Sequence, residues 1–489
     1  MITKITPSFT YDDVLIRPKY SNVSSRKNVC LKTFLTKKIK LNTPIISSNM
    51  DSITEDDMAI EIAKLGGLGI IHRFCSIEQQ VEMVKRVKRY TNYVIYNPYT
   101  IEEDTKMCDV VNLIHFKKVK SFMVVKNNVF SGIFTNRDFI YFRSLDFDIE
   151  DSVGKYMTKR ENMITLDVNT LKKMEIHEII EYMSTRKIQK IPILNGDKIY
   201  GLVTLKDMLQ RNNEKFKTKA NLDENSQLVV GAAVGVNKDF VERAKALHLS
   251  GCNIICIDVA HGHHSLCGNA VIELKKEIPN VQIIAGNVCT REGVKYLALC
   301  GADCVKVGIG PGSICITRKQ TGCGAPQLSA VMECAEEARK LDITIIADGG
   351  HNGTIGNIFK ALCAGAQASM LGGMISGTTE TPGQVYTKLN KKVKQIRGMA
   401  GIMSNYNKSS KLGEDTSHIE TMIPEGVEGY VTYKGPVKDI IHQIEGGIKS
   451  GLSYVGCEEL RNLHNTEIEL LMITNQGFRE SGSHGISEI

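Results

Sequence analysis

The sequence has no apolar run long enough to cross a membrane. Its apolar stretches fall short of the roughly 18 residues that a spanning helix needs. The first residues, MITKITPSFTYDDVL, also lack the apolar core of a secretory signal peptide. These absences argue against an integral membrane or secreted protein and predict a cytoplasmic one without a membrane partner.

A strong excess of one charge is missing as well. The chain of 489 residues has 61 Lys and Arg against 54 Asp and Glu, and the basic residues mostly alternate with acidic ones. Nucleic-acid-binding proteins concentrate positive charge in patches or tails. The distribution therefore predicts no nucleic-acid partner, and 42% hydrophobic residues with 24% charged ones are typical of a globular protein.

Cysteine is abundant, but the spacings that predict disulfide or zinc frameworks are incomplete. Without a secretory signal, the 14 cysteines are expected to be reduced. The pairs Cys252/Cys256 and Cys300/Cys304 have four-residue spacing but no matching second pair. We expect most of these thiols to be small buried apolar groups and predict no zinc site.

Eight short apolar runs recur along the chain and predict parallel strands. They are TPIISSN, LGGLGIIHR, QLVVGAAVG, NIICIDVAHG, VQIIAGNV, ADCVKVGIG, ITIIADGG and QASMLGGM. Helix-compatible stretches such as REGVKYLALCG lie between most of them. This alternation predicts an α/β fold, a (β/α)8 TIM barrel with its active site at the C-terminal strand ends, and a doubly wound open sheet is the alternative.

The alternation is interrupted in residues 92–217. Two segments there resemble each other, SGIFTNRDFI and YGLVTLKDML, which predicts two copies of a small module. The repeat resembles a tandem pair of CBS modules, a Bateman domain, and the resemblance implies a regulatory adenine or guanine nucleotide such as ATP or GTP. The matching positions, which could equally cap helices, are Thr135, Asp138, Thr204 and Asp207. Residues 1–91 and 218–489 would then form the barrel, with a flap near 397–435.

The loop GIGPGSICITR combines glycines with a thiol. Its glycines, at alternate positions in 308–312, let the backbone approach an anion closely. A dinucleotide-binding fingerprint would need a further glycine where Ser313 stands. Cys315 can act as a nucleophile if its thiolate is stabilised, and the Thr317 hydroxyl can handle a proton. The alternative for Cys315 is an ordinary buried cysteine.

Five motifs together resemble the IMP dehydrogenase and GMP reductase family: GIGPGSICITR, IDVAHGH, IIAGNV, IIADGG and IRGM. The resemblance covers nearly the whole chain. It implies that Cys315 attacks C2 of a purine nucleotide, beside a nicotinamide dinucleotide at Asp258 and His261. The substrate-binding positions that it implies are Ser48, Ser313, Asp348, Gly350, Gly372, Gly373, Gly398, Met399 and Ala400.

The same resemblance implies a cation and an assembly. Potassium or another monovalent cation would be held by the carbonyls of Gly310, Gly312 and Cys315. A C-terminal segment of a neighbouring subunit, similar to GFRESGSH, would complete the site. A homotetramer or an octamer is therefore expected.

The two activities of the family differ in the step after the covalent intermediate. Dehydrogenases oxidise IMP with NAD and hydrolyse the adduct to XMP, whereas reductases expel ammonia from GMP and reduce the adduct to IMP with NADPH. The dehydrogenases carry an Arg-Tyr pair on the flap, where this chain reads KLGEDT after Ser409 and Ser410. Lys411 would replace the arginine only in part, since it lacks the planar fork.

Three further segments favour the reductase, namely KQTGCGAPQLSAVMECA, SNMDS with Asn49, and MLGGM with Gly373. The resemblance thus predicts an NADPH-dependent GMP reductase in which Thr317 and Glu425 handle protons. Two segments, GGLGIIHRFCSIEQQ and GTTETPG, resemble the dehydrogenases instead, and many reductases lack the insert. An IMP dehydrogenase with Arg397 as a cation stays open. A phosphate-contacting tyrosine expected before RGM is Ile396 in this chain.

Overall fold

The computed structural model describes residues 5–90, 94–95, 98–117, 119, 121–143, 148–171, 173–211, 219–237, 239–402, 404–406, 409 and 423–483. Within them the chain forms two compact units. The first unit comprises Met1–Lys88 and Lys219–Ile489, and the second comprises Arg89–Thr218.

Eight parallel strands of the first unit close into a barrel, which confirms the predicted fold. In chain order they are β1 Ile45–Ser47, β2 Leu68–Ile71, β3 Val230–Val234, β4 Ile254–Asp258, β5 Gln282–Val288, β6 Cys304–Val307, β7 Thr344–Asp348 and β8 Ala368–Leu371. The alternative of an open sheet is wrong, because β8 pairs with β1 and β2 pairs with β3. The strands are buried almost throughout, as continuous apolar runs in a parallel sheet require.

Helices follow the strands and form the outer ring. They are α1 Asp56–Lys64, α2 Ile77–Arg89, α3 Phe240–Leu249, α4 Ser265–Glu277, α5 Arg291–Leu299, α6 Gln327–Lys340, α7 Ile355–Cys363 and α8 Val437–Tyr454. Their apolar faces recur at three- and four-residue intervals, as in α8, where Ile441, Ile444 and Ile448 are buried. One cap is explicit: the Thr290 hydroxyl accepts from Gly293 N–H at 3.1 Å and begins α5.

Two apolar clusters stabilise the barrel. One lies inside it and includes Ile70, Ile254, Ile284, Ile346 and Met370. The other packs α1, α7 and α8 against the outside of the strands. Both follow from strands that are apolar on both faces.

A three-stranded antiparallel sheet frames the flap. Its strands are Tyr386–Lys388, Lys391–Arg397 and Glu428–Thr432, and the last two pair from Val393 with Thr432 to Arg397 with Glu428. The remaining elements of this unit are Tyr11–Asp13, Val14–Ile16, Arg26–Asn28, Thr33–Phe34, Lys40–Leu41, Thr317–Thr321, Leu460–Asn465, Leu470–Met472 and Asn475–Glu480.

The second unit contains two modules with the same order of elements. In the first, Thr100–Glu102 and helix Met107–Lys117 precede the hairpin Ser121–Lys126 and Val129–Thr135 and helix Asn136–Arg143. In the second, Leu166–Asp167 and helices Val168–Leu171 and Ile176–Thr185 precede the hairpin Lys190–Asn195 and Lys198–Thr204 and helix Leu205–Arg211. Short strands Thr158–Lys159 and Val94–Ile95 complete the two sheets, and the 3₁₀ helices Val153–Lys155 and Arg160–Asn162 lie between the modules in sequence. The internal repeat thus has a structural counterpart.

All fourteen cysteines are free thiols. Burial raises the pKa of Cys252 to about 11 and that of Cys304 to about 12. In the described ranges, no three His, Cys, Asp or Glu side chains lie close enough to hold a metal ion. No helix of the described part of the chain has both the length and the apolar character of a membrane span.

Candidate active site

Two adjoining cavities open at the C-terminal ends of the barrel strands. The first has a volume of about 690 Å³ and lies beside the loops after β6, β7 and β8. The second, of about 480 Å³, lies beside the ends of β4 and β6 and the flap sheet. They share Ser48, Met50, Pro311, Gly312, Ile314 and Asp348. A ligand that spans both would therefore have one end on the glycine loops and the other at Cys315.

Cys315 stands at one end of a short chain of hydrogen bonds. Its Sγ lies 3.1 Å from Thr317 Oγ1, and that hydroxyl donates to Glu425 Oε2 at 2.7 Å. All three residues line the second cavity. A thiol, a hydroxyl and a carboxylate in this order can pass a proton between the sulfur and the carboxylate.

The backbone fixes this chain of hydrogen bonds by joining the cysteine loop to the far end of the flap. Ile316 N–H donates to Glu425 O at 2.8 Å, and Val427 N–H donates to Ile314 O at 2.9 Å. The segments can approach because Gly426 faces Gly398, where an added Cβ would lie 3.0 Å from the Cα of Gly398. Residues more than 100 positions apart are thereby held as one unit.

A buried lysine joins two acidic strand ends. Lys306, on β6, donates from Nζ to Asp258 Oδ1 at 2.8 Å and to Asp348 Oδ2 at 3.1 Å. Asn287 Nδ2 donates to the same Asp348 oxygen at 2.9 Å and to Gly308 O at 2.7 Å. Asp258, predicted to bind the cofactor, and Asp348, predicted to bind the substrate, are thus linked through one ammonium group.

Charge pairing outweighs burial at Lys306. Burial alone would lower its pKa, but the carboxylates of Asp258 and Asp348 raise it well above its usual value. Burial likewise opposes the charge of Asp258, and Lys306 with Arg73 lowers the pKa of that carboxyl nevertheless. Lys306 was not among the predicted site residues. Its one signal was a single lysine inside an otherwise apolar strand, CVKV.

The predicted substrate positions fall into two groups. Ser313, Gly350, Gly372 and Gly373 line the first cavity, and Gly398, Met399 and Ala400 line the second. An added Cβ at Gly373 would lie 2.6 Å from Ser313 Oγ, so a side chain there would require the serine hydroxyl to move. The carbonyls of Gly310, Gly312 and Cys315 belong to one loop, in which Cys315 N–H donates to Gly312 O at 3.0 Å.

Two other predicted positions, His261 and Arg397, lie outside the lining of both cavities. His261 is exposed and is absent from the residues that line either cavity, whereas Asp258 lines the second one. Arg397 donates from Nε to Asp51 Oδ2 at 2.8 Å, so its guanidinium is held in an ion pair with a buried carboxylate. Asn49 is buried and lines the second cavity.

The paired Thr and Asp residues of the second unit act as helix caps. Thr135 N–H and Oγ1 both donate to Asp138 Oδ2 at 2.7 Å, and Thr204 Oγ1 donates to Asp207 Oδ2. Burial raises the pKa of the Asp207 carboxyl. The two modules therefore repeat one local arrangement at the same place in their folds.

Three predictions concern residues outside the described part of the chain. The sequence KLGEDT, with Lys411, lies there, as does Ser410. His484, the last residue of GFRESGSH, lies there too.

His351, beside the first cavity, predicts a pH-dependent stability. It is 4% exposed, it stacks on Tyr11 with ring centroids 5.9 Å apart, and burial lowers its pKa to about 4. The unfolded chain then binds more protons than the folded one between about pH 6.5 and 4, so acid destabilises the fold in that window. Over this window, His351 should lower the free energy of unfolding by about 3 kcal/mol in total.

The His351→Phe variant should lose this part of the pH dependence. The free energy of unfolding is measured by urea titration between pH 7 and 4.5. The exposed His442, changed to Asn, serves as the control and should retain the wild-type slope. An unchanged slope in the His351→Phe variant would contradict this prediction.

With the geometry established, comparison with known proteins identifies the family. Residues 8–484 match the model of the IMP dehydrogenase / GMP reductase domain. The chain belongs to this family. The IMP dehydrogenase of Aquifex aeolicus is 42% identical over 99% of this chain and 96% of its own length. The GMP reductase of Leishmania major is 41% identical over 98% of this chain and 97% of its own length.

Solved structures of the family extend the similarity to three dimensions. A cysteine-to-alanine variant of the GMP reductase of Trypanosoma brucei, in complex with GMP, has a TM-score of 0.84 and 40% identity and covers 99% of both chains. A GTP complex of the GMP reductase of T. brucei has a TM-score of 0.74 and 35% identity over 96% of this chain and 99% of its own. This family member is thus an oxidoreductase of purine nucleotide metabolism, and relatives with both activities resemble it over nearly its full length.

Proposed function

We propose that this family member is an NADPH-dependent GMP reductase, which converts GMP to IMP and ammonia through a covalent bond between Cys315 and purine C2. The observation that carries the proposal is the hydrogen-bonded series Cys315, Thr317 and Glu425 at the mouth of the barrel. The Arg-Tyr pair of the dehydrogenases is missing from the flap sequence, which favours deamination over hydrolysis.

Proton transfer follows the hydrogen bonds. The Cys315 thiol gives its proton through the Thr317 hydroxyl to Glu425 as the sulfur attacks C2. The same carboxyl returns a proton through Thr317 to the departing amino group, which leaves as ammonia. Expulsion of the amine leaves C2 bonded to sulfur, and the thiolate departs once a hydride has reached C2.

The nucleotide would be held by both cavities. Its ribose would lie on Asp348, whose carboxylate is oriented by Lys306 and Asn287. Its phosphate would lie in the first cavity, beside Ser313, Gly350 and Gly373. The purine would then lie in the second cavity, with its C2 above the Cys315 sulfur.

The rest of the second cavity fits a nicotinamide dinucleotide. Asp258 lines it with a carboxylate, and Arg73 lines it with a buried Nε that has no acceptor among the described residues. A bound ligand with acceptor oxygens would satisfy that donor. When bound, NADPH supplies the hydride. The chain's own residues exclude water and orient C2 toward it.

The Glu425→Gln variant should slow the reaction by about 10²- to 10⁴-fold, because general acid–base catalysis contributes that much. The amide can still hydrogen-bond to Thr317 but cannot accept a proton at pH 7. Turnover is measured at saturating GMP and NADPH, with GMP affinity in parallel. Glu273→Gln, on the exposed face of α4, is the control. A Glu425→Gln variant with wild-type turnover would exclude this carboxylate from proton transfer.

A monovalent cation and a neighbouring subunit would complete the site. Main-chain carbonyls are the ligands that potassium prefers in proteins, and Gly310, Gly312 and Cys315 provide three on one loop. Three carbonyls are only part of a coordination shell, so the C-terminal segment of a second subunit would supply the others. We therefore propose a homotetramer, or an octamer built from two tetramers, that depends on potassium.

The second unit would regulate the enzyme through purine nucleotides. Its two modules present the same Thr-Asp pair, and the T. brucei GMP reductase has been crystallised with GTP. Binding of ATP or GTP would couple to the barrel through a change in assembly or flap state. The idea fails if neither nucleotide changes rate or oligomer size in protein that binds GMP.

IMP dehydrogenase is the second candidate, supported by the 42% identity to the A. aeolicus enzyme. It would oxidise IMP with NAD and needs a residue that activates water. Arg397 is engaged by Asp51 and is absent from the lining of the second cavity, which weakens its candidacy.

The assay that separates the candidates follows nicotinamide absorbance. GMP with NADPH should cause a loss at the reduced nicotinamide band, and IMP with NAD should cause no gain. The opposite pattern would establish the dehydrogenase.

A further inference from the structure

The first cavity takes its shape from glycine-rich loops. Gly349 and Gly350 follow β7 with φ values of 83° and 81°, a region that side chains rarely adopt. Gly372 and Gly373 follow β8, and Gly373 leaves room for the hydroxyl of Ser313. Such loops bring backbone N–H groups close to a ligand, which suits an anion.

One cation lines this cavity. Among the described residues that line it, Lys434 is the only lysine or arginine. The lining acids are Asp348, which is paired with Lys306, and Glu428. Glu428 lies opposite Arg397 in the flap sheet. Its Oε1 would be 3.4 Å from a Cβ added at Gly401, so the carboxylate points toward the flap end of the sheet. Lys434 lies instead beside the loop after β8.

The structure holds Lys434 in place at both its backbone and its ammonium. Its N–H donates to Gly377 O at 2.9 Å, and its Nζ donates to Gly373 O at 3.1 Å and to Met374 O at 3.0 Å. An ammonium has three N–H donors. In the described part of the chain two carbonyls accept from it, so a third donor is left for a ligand beside Gly373.

One hydroxyl that would otherwise contact a phosphate is missing from this chain. At the place of the expected tyrosine, Ile396 is buried in the apolar cluster around α8. Position 373 is a glycine and therefore offers no side-chain donor. A phosphate dianion in this cavity would therefore lack that phenol, and among the described lining residues the one formal positive charge is that of Lys434.

We propose that Lys434 binds the 5′-phosphate of the substrate nucleotide and provides the charge that makes the site select nucleotides over nucleosides. The inference rests on the proposed function only in so far as the substrate is a purine 5′-monophosphate. It holds equally for GMP and for IMP. Lys434 acts in binding, so its loss should raise KM for the nucleotide and leave kcat nearly unchanged.

The test compares a charged and an uncharged side chain at this position. Lys434→Gln keeps N–H donors for the carbonyls of Gly373 and Met374 but has no charge, and Lys434→Arg keeps the charge. Lys438→Gln, on the exposed face of α8, is the matched control. Dissociation constants for GMP and for guanosine are measured by calorimetry at two salt concentrations for all three variants and the wild type.

A charge-assisted contact to phosphate predicts that Lys434→Gln weakens GMP binding about 10- to 100-fold and leaves guanosine binding unchanged. Its GMP affinity should also depend less on salt. Lys434→Arg should recover most of the affinity, and Lys438→Gln should match the wild type. Equal losses for GMP and guanosine would assign Lys434 to loop structure alone and overturn the proposal, as would wild-type GMP affinity in Lys434→Gln. A wild type that binds neither GMP nor IMP would instead refute the proposed function.

Discussion

Replacing Cys315 with Ala is expected to lower turnover of GMP by about 10⁴-fold or more, with GMP still bound at near wild-type affinity. Without the sulfur no covalent bond to C2 can form, and the exchange of amine for hydride has to occur at a single centre in one step. The side chain removed is small and half-buried, so the cavity and its glycine loops should persist.

The control for this variant is Cys300→Ala, because Cys300 is half-buried at the end of α5, on the outer ring of the barrel. It should retain turnover. Single-turnover mass spectrometry adds a second readout, since the wild type should show a purine adduct on the peptide that contains Cys315. Substantial turnover in Cys315→Ala would remove the covalent mechanism.

Replacing Lys306 with Met is expected to destabilise the barrel by about 3–5 kcal/mol, the usual cost of removing one partner from a buried ion pair. Lys306 is 2% exposed, and both of its partners are carboxylates. Methionine fills much the same volume but leaves Asp258 and Asp348 facing each other without the ammonium that they share. Activity should fall as well, because the positions proposed for cofactor and substrate lose their common partner.

A double-mutant cycle separates the ion pair from the loss of packing. Asp258→Asn combined with Lys306→Met should cost clearly less in unfolding free energy than the sum of the two single changes, because Asp258→Asn removes one of the two carboxylates that Lys306→Met deprives of their shared ammonium. The free energies come from urea denaturation near pH 7. Strictly additive losses would mean that the lysine contributes packing rather than charge.

The barrel was predictable because its strands are short, apolar on both faces and followed by polar or glycine residues. Such runs recur along the chain with helix-compatible stretches between most of them, and the pairing of β8 with β1 closes the sheet they predict. The cluster at the strand ends was predictable for the same reason, since all eight C-terminal ends meet at one rim. Cys315 and Asp348 both lie there.

Lys306 could not be assigned a role from the sequence, because its partners are contributed by two other strands. Asp258 ends β4 and Asp348 ends β7, and the side-by-side pairing of β4, β5, β6 and β7 brings both within 3.1 Å of one ammonium. His261 shows the converse limit. It lies three residues after Asp258 in a motif that predicts cofactor binding, yet its side chain is exposed outside both cavities. A loop residue's direction depends on backbone turns that a motif alone does not specify.

The measurement that tests the central claim most directly is the fate of the C2 substituent. GMP is incubated with NADPH that carries deuterium at the transferable position of the nicotinamide, and the products are analysed by mass spectrometry. The account predicts IMP with one deuterium at C2 and an equal amount of ammonia. Formation of XMP from IMP and NAD, with no deuterium transferred from NADPH to GMP, would contradict it.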